Sequence, residues 1–136
     1  MCGICGIVYS NNDRRVNHGV LDLMSQSLEH RGPDSNDSWY SSGIGFSHRR
    51  LTILDISTAS KQPMVDNQTG IVITYNGEIY NYIEIRKKLI DKGHSFVSTG
   101  DTEVLLRAYI EWKHDLFVEI NGMFAFSIYD PRDNTV

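Results

Sequence analysis

Cysteine is scarce in this chain of 136 residues, which has only Cys2 and Cys5. Two cysteines cannot build a disulfide framework. Their C-x-x-C spacing raises metal or redox chemistry, but a structural zinc site needs about four ligands. The five histidines (His18, His30, His48, His94 and His114) are scattered, with no pair at helical ligand spacing. No metal site is expected. Apolar runs are short as well, and none approaches the roughly 20 residues of a membrane span. The N-terminus lacks the basic region and long apolar stretch of a signal peptide, so a cytoplasmic location is expected. Positive charge is not in excess, since 13 Lys and Arg face 17 Asp and Glu for a net charge of -4. That balance argues against nucleic acid or an anionic membrane surface as a partner. Proline numbers only three, and no repeat, low-complexity tract or linker interrupts the chain.

What is present has the profile of a soluble globular protein, with 40% hydrophobic and 22% charged residues. The length suits one domain with a core of its own. Residues 3–9 (GICGIVY) are apolar and β-branched and read as a strand. Val20, Leu21, Met24 and Leu28 form a helical stripe within 17–30. RGPDSND (31–37) reads as a loop, 43–54 as one strand and the start of another, and 55–69 as irregular. GIVITYN (70–76) is a buried-strand signal. After Gly77 the pattern turns helical through Lys92, with Gly93 as a C-cap glycine. A short strand is expected at 94–98, and a helix at 102–113 with Val104, Leu105, Ala108 and Tyr109 facing inward. GMFAFSIY (122–129) is a further strand and DPRDN (130–134) a turn. Strands and helices mix without strict alternation, which favours α+β layers. The chain stops just after a turn that should lead into another strand, so a fragment of a longer chain is expected.

Several residue groups carry potential chemistry. Removal of Met1 would leave Cys2 with its thiol and a free α-amine on one carbon. Such an amine has an ordinary pKa of about 7.7–8.0 and serves as a built-in base for the nucleophile. A retained Met1 would turn that amine into an amide. Taken singly, Cys2 reads rather as a small apolar residue at a strand entry, and Cys5 reads as core. Asn76-Gly77 sits where a strand gives way to a helix. A side-chain amide and an approachable backbone N–H there suit an oxyanion hole, or simply a turn. Arg50, in SHRRLTILD, suits a bidentate grip on a carboxylate, while the neighbouring Arg49 reads as a surface charge. Asp101, in STGDTEV, suits an N-cap, a role Thr102 could share, or a partner for a substrate ammonium. Arg31, in HRGPDS, lies on a loop that either closes over a site or only turns.

In order, MCGICGI, HRGPDS, SHRRLTILD, NGEIYN, GDTEV and NGMFAF resemble the class II glutamine amidotransferases, which are N-terminal-nucleophile hydrolases. The resemblance covers essentially the whole chain and leans toward the glutaminase domain of the asparagine-synthetase branch. It implies a four-layer αββα sandwich and a type 2 amidotransferase domain over 1–136. By this resemblance Cys2 attacks the glutamine side-chain amide, and Asn76 and the Gly77 N–H hold the oxyanion. Arg50 binds the substrate carboxylate, and Glu78 and Asp101 bind its ammonium. The backbone around Leu51, Ile53 and Gly100 shapes the pocket, and Arg31 orders near the nucleophile. No cofactor is implied for this domain. ATP and Mg would serve a C-terminal synthetase domain, which is the expected partner in a longer parent chain. No S-G-G-x-D-S phosphate loop occurs here. A homodimer stays open, as do amidation of another acceptor such as a surface sugar and a non-catalytic glutamine-binding or regulatory role.

Overall fold

A computed structural model describes residues 2–10, 13–51 and 60–136. Two antiparallel sheets lie face to face. The first has strand order β1-β3-β2, with β1 at Gly3–Val8, β2 at Ser35–Ser41 and β3 at Ile44–Arg50. The second has order β4-β5-β6, with β4 at Met64–Val65, β5 at Val72–Ile79 and β6 at Gly122–Tyr129. Helix α1 (His18–Ser27) covers the outer face of the first sheet. Helices α2 (Tyr82–Asp91) and α3 (Asp101–Trp112) cover the second, and the short α4 (Leu116–Glu119) follows α3. The expected four-layer α+β sandwich is therefore formed.

Alternation along β3 shows how the layers are held. Ile44 and Phe46 are buried against Val72 of β5 and reach Trp39 and Tyr129, so they face the opposite sheet. His48 and Arg50 fall on the same inward face by the period of two. Ser47 and Arg49 face outward under α1. There Arg49 Nε donates to the Ser25 carbonyl at 3.1 Å, and Arg49 pairs with Glu29 at 3.9 Å. The surface reading of Arg49 is thus corrected, because its side chain is only 12% exposed. On the outer side of β5, Ile71, Ile73, Tyr75 and Ile79 pack with Ile85, Leu89, Leu105 and Leu106 in the larger core.

Local signals explain most boundaries. Asn17 caps α1 by accepting the Val20 N–H at 3.2 Å. Gly93, at φ 96, ends α2, with its N–H on the Ile90 carbonyl and the His94 N–H on the Leu89 carbonyl. That double closure is a Schellman motif, which needs the left-handed backbone glycine adopts most easily.

Four expectations change. The loop at 31–37 ends early, because Ser35 already opens β2, a strand whose polar sequence SNDSWYS hid it. Its pairing with β3 replaces local propensity as the deciding force. Residues 94–98 form no strand. Their backbone is instead held by Glu103, whose carboxylate accepts the N–H groups of Val97 and Ser98 and the Ser98 hydroxyl. Asn76-Gly77-Glu78 is not a turn, since β5 runs through it to Ile79 and pairs these residues with Ala125, Phe124 and Met123. Asp101 is not an N-cap; Gly100 holds that place and Asp101 begins the helix proper. The expected second strand after β3, with Ile53, lies outside the described residues.

Candidate active site

One end of the gap between the sheets opens into a cleft of about 230 Å³. The first sheet brings Cys2 at the entry to β1, and Arg50 and Leu51 at the end of β3. The second brings Asn76, Gly77 and Glu78, and the start of α3 brings Gly100 and Asp101. Of the residues singled out from sequence, these eight line one cleft. Arg31 does not line it but reaches the Cys2 backbone, donating from Nε to the Cys2 carbonyl at 3.2 Å. Ile53 lies outside the described residues.

Register explains the convergence. Gly3 pairs with Arg49 across β1 and β3, so Cys2 arrives beside the end of β3. The Leu51 N–H points at Cys2 Sγ at 3.4 Å, and the thiol lies 3.6 Å from the Leu51 carbonyl. This places a backbone donor where charge on sulfur would develop. Cys5 is three residues on and so faces the α1 side of the sheet, near Ser47. Burial raises its thiol pKa, against the opposing effects of Arg49 and Ser47. The two cysteines therefore have different surroundings, and no His, Cys, Asp and Glu group that could hold a metal occurs among the described residues.

Asn76 and Gly77 face Cys2 from the other sheet. The Asn76 Oδ1 is buried without a hydrogen-bond partner among the described residues. Gly77 has no room for a side chain, since a Cβ there would lie 2.4 Å from the Met123 carbonyl oxygen. Charged groups of opposite sign line the cleft, Arg50 from β3 and Glu78 and Asp101 from β5 and α3. Asp101 is 6% exposed, and its Oδ2 accepts the Tyr75 hydroxyl at 2.6 Å and the Ile79 N–H at 3.0 Å. One carboxylate oxygen is thus committed to holding the site together. Arg86 braces the same wall from α2, donating to the carbonyls of Ser98 at 2.9 Å and Gly100 at 3.0 Å.

The sequence reading missed His48, Ser60, Gln62, Tyr75, Tyr80, Thr102 and Met123, which also line the cleft. Alternation along SHRR was the signal for His48, because it shares a face with Arg50. Tyr75, inside the apolar run of β5, carried only a packing signal. It does pack, but its phenol is bonded to Asp101, and burial followed by that bond pushes its pKa well up. Gln62 carried no signal. Its Oε1 accepts the Tyr75 N–H at 2.6 Å and its Nε2 donates to the Thr102 hydroxyl at 3.2 Å.

Comparison with known proteins gives this geometry a context. A family model described as a glutamine amidotransferase domain matches residues 1–136. The chain is 41% identical over 136 residues to asparagine synthetase [glutamine-hydrolyzing] 3 of Bacillus subtilis (strain 168), covering 98% of this chain and 22% of that protein. It is 35% identical over 135 residues to asparagine synthetase [glutamine-hydrolyzing] 1 of Arabidopsis thaliana, covering 99% of this chain and 23% of the relative. The chain therefore spans under a quarter of the length of these relatives. Its fold is similar to that of glutamine phosphoribosylpyrophosphate amidotransferase from B. subtilis, with a TM-score of 0.56 at 18% identity over 93% of this chain and 29% of that one. These findings agree with the layered fold, and the chain belongs to the glutamine amidotransferase domain family.

Proposed function

We propose that this chain hydrolyses L-glutamine to glutamate and ammonia through a thioester on Cys2. The observation that carries the reading is a single cleft holding a thiol, an amide and glycine pair, an arginine and two acids. Glutamine has one reacting amide, one carboxylate and one ammonium, and each finds a counterpart there. The Cys2 sulfur attacks the side-chain carbonyl carbon, and its proton passes through the α-amine freed by loss of Met1. Asn76 and the Gly77 N–H receive the oxyanion, a form of stabilisation typically worth about 3–4 kcal/mol per donor. The C–N bond then breaks, and the amide nitrogen leaves as ammonia carrying the transferred proton. Water attacks the thioester, releases glutamate and restores the thiol. Arg50 grips the α-carboxylate, Glu78 and Asp101 take the α-ammonium, and the backbone at Leu51 and Gly100 bounds the pocket. Arg31 holds the Cys2 carbonyl and so the nucleophile segment.

The relatives' names support a longer parent in which the ammonia passes to a synthetase domain for asparagine formation from aspartate. ATP and Mg would act in that domain, in the cytoplasm. Among the described residues no helix is long and apolar enough to cross a membrane. The test is release of ammonia and glutamate from L-glutamine by protein of confirmed N-terminal mass, compared with Cys2→Ala. Loss of essentially all turnover in the variant is expected; equal rates would overturn the nucleophile assignment. Full activity in a chain retaining Met1 would overturn the role of the α-amine.

A further inference from the structure

His48 stands on the inward face of β3 and is 2% exposed. Its Nε2 lies 3.2 Å from the Tyr75 carbonyl oxygen. A carbonyl only accepts, so Nε2 carries a proton and donates it. Burial lowers the imidazole pKa to about 4, which keeps the ring neutral at ordinary pH. This bond crosses from one sheet to the other and lands on the residue immediately before Asn76. The remaining polar groups of Tyr75 are held as well, its N–H by Gln62 and its hydroxyl by Asp101. Three separate elements therefore fix one residue of β5. On the other side, the strand that bears His48 also holds Cys2, through the Leu51 N–H at its end.

We propose that His48 is a positioning residue for glutamine hydrolysis, a strut between the sheets that sets the spacing of Asn76 and Gly77 from the Cys2 sulfur. The inference rests on the roles assigned to those residues above. An oxyanion forms only after attack, so a displaced donor pair raises the barrier without weakening ground-state binding. Glutamine would still be held by Arg50 and Asp101. Loss of the strut therefore falls on kcat rather than on KM.

The test compares wild-type protein, His48→Phe, His48→Gln and His48→Asn. A Gln amide extends a donor toward the place of Nε2, whereas Asn is too short. His48→Phe and His48→Asn are expected to lower kcat roughly ten- to hundredfold with KM within about threefold. His48→Gln is expected to recover most of kcat. Alkylation of Cys2 by iodoacetamide needs no oxyanion donor and should proceed at the same rate in every variant. In NMR spectra the amide signals of Asn76 and Gly77 should move in His48→Asn and return in His48→Gln. Wild-type kcat in His48→Asn, an effect confined to KM, failure of Gln to restore what Asn loses, or unmoved Asn76 and Gly77 signals would each overturn the proposal. Should His48→Phe fail to fold, the Gln and Asn pair decides alone. A wild-type chain no faster than Cys2→Ala would instead overturn the glutaminase reading, an outcome separate from those above.

Discussion

Arg50 and Arg49 are neighbours with the same charge, and the strand's period of two sends them to opposite faces. Arg49 ends among α1 and Ser25, while Arg50 ends in the cleft. Lysine keeps the charge of Arg50 but loses the planar fork that matches a carboxylate. Arg50→Lys is expected to raise KM for glutamine by about tenfold or more, with a smaller effect on kcat, in steady-state assays. His48 makes a second residue-scale test, this time of stability. Its folded pKa of about 4 lies below the ordinary 6.5, through burial against the opposing bond to Tyr75, with Arg50 lowering and Asp37 raising it. Above the ordinary value both folded and unfolded chains hold the ring neutral and nothing is lost. As pH falls from there toward 4, the unfolded chain gains a proton that the folded chain refuses, so stability declines. The loss from this residue should approach about 3 kcal/mol. Urea unfolding near neutrality and again at mildly acid pH should show a smaller decline in His48→Gln; an identical decline would remove His48 from the acid response.

At the scale of elements, β5 joins fold to site. Its outward side chains build the larger core, while its last residues include Asn76 and Gly77, the pair proposed to receive the oxyanion. Because Asn76-Gly77 is paired with β6 rather than placed on a turn, its geometry is set by a ladder and not by a mobile loop. Gly77 is there because β6 approaches too closely for anything larger. An added Cβ would meet the Met123 oxygen at 2.4 Å and the Phe124 Cα at 2.6 Å. Gly77→Ala should therefore push β5 and β6 apart locally, costing about 1–3 kcal/mol of stability and at least about tenfold in kcat. Thermal unfolding and turnover measured on the same sample check both. A variant with normal stability and normal kcat would show that the strands have room after all.

For the whole molecule, each sheet has a central strand, β3 in one and β5 in the other, and these two face each other across the gap. Both are paired on either side and buried over most of their length, whereas β1, β2, β4 and β6 have only one ladder partner among the described residues. Opening free energy follows burial and pairing. Native-state hydrogen exchange should accordingly find the slowest amides in Phe46, Ser47, Ile73 and Thr74, and faster exchange along β2. The reverse order would mean that the sandwich does not open from its edges.

Much of this was legible in the sequence because it depended on local physics. The apolar strand 122–129, the inward stripe of α3, the closing role of Gly93 and the order of the motifs follow from side-chain period and turn chemistry, and Cys2, Asn76, Gly77, Arg50 and Asp101 were marked by those motifs. The polar strand β2 was not legible, because its strand state comes from pairing with β3. Nor was the strand state of Asn76-Gly77, where a ladder with β6 overrides a strong local turn signal. His48 meets Tyr75 only when the two sheets stack, and Gln62 reaches Tyr75 from just before β4; their value lies in hydrogen bonds spanning 27 and 13 residues of chain. The sequence by itself determined which groups were present and where the strongly patterned elements would form. Only the tertiary structure decided which groups face one another, because contacts between sheets depend on register and stacking that no local pattern encodes.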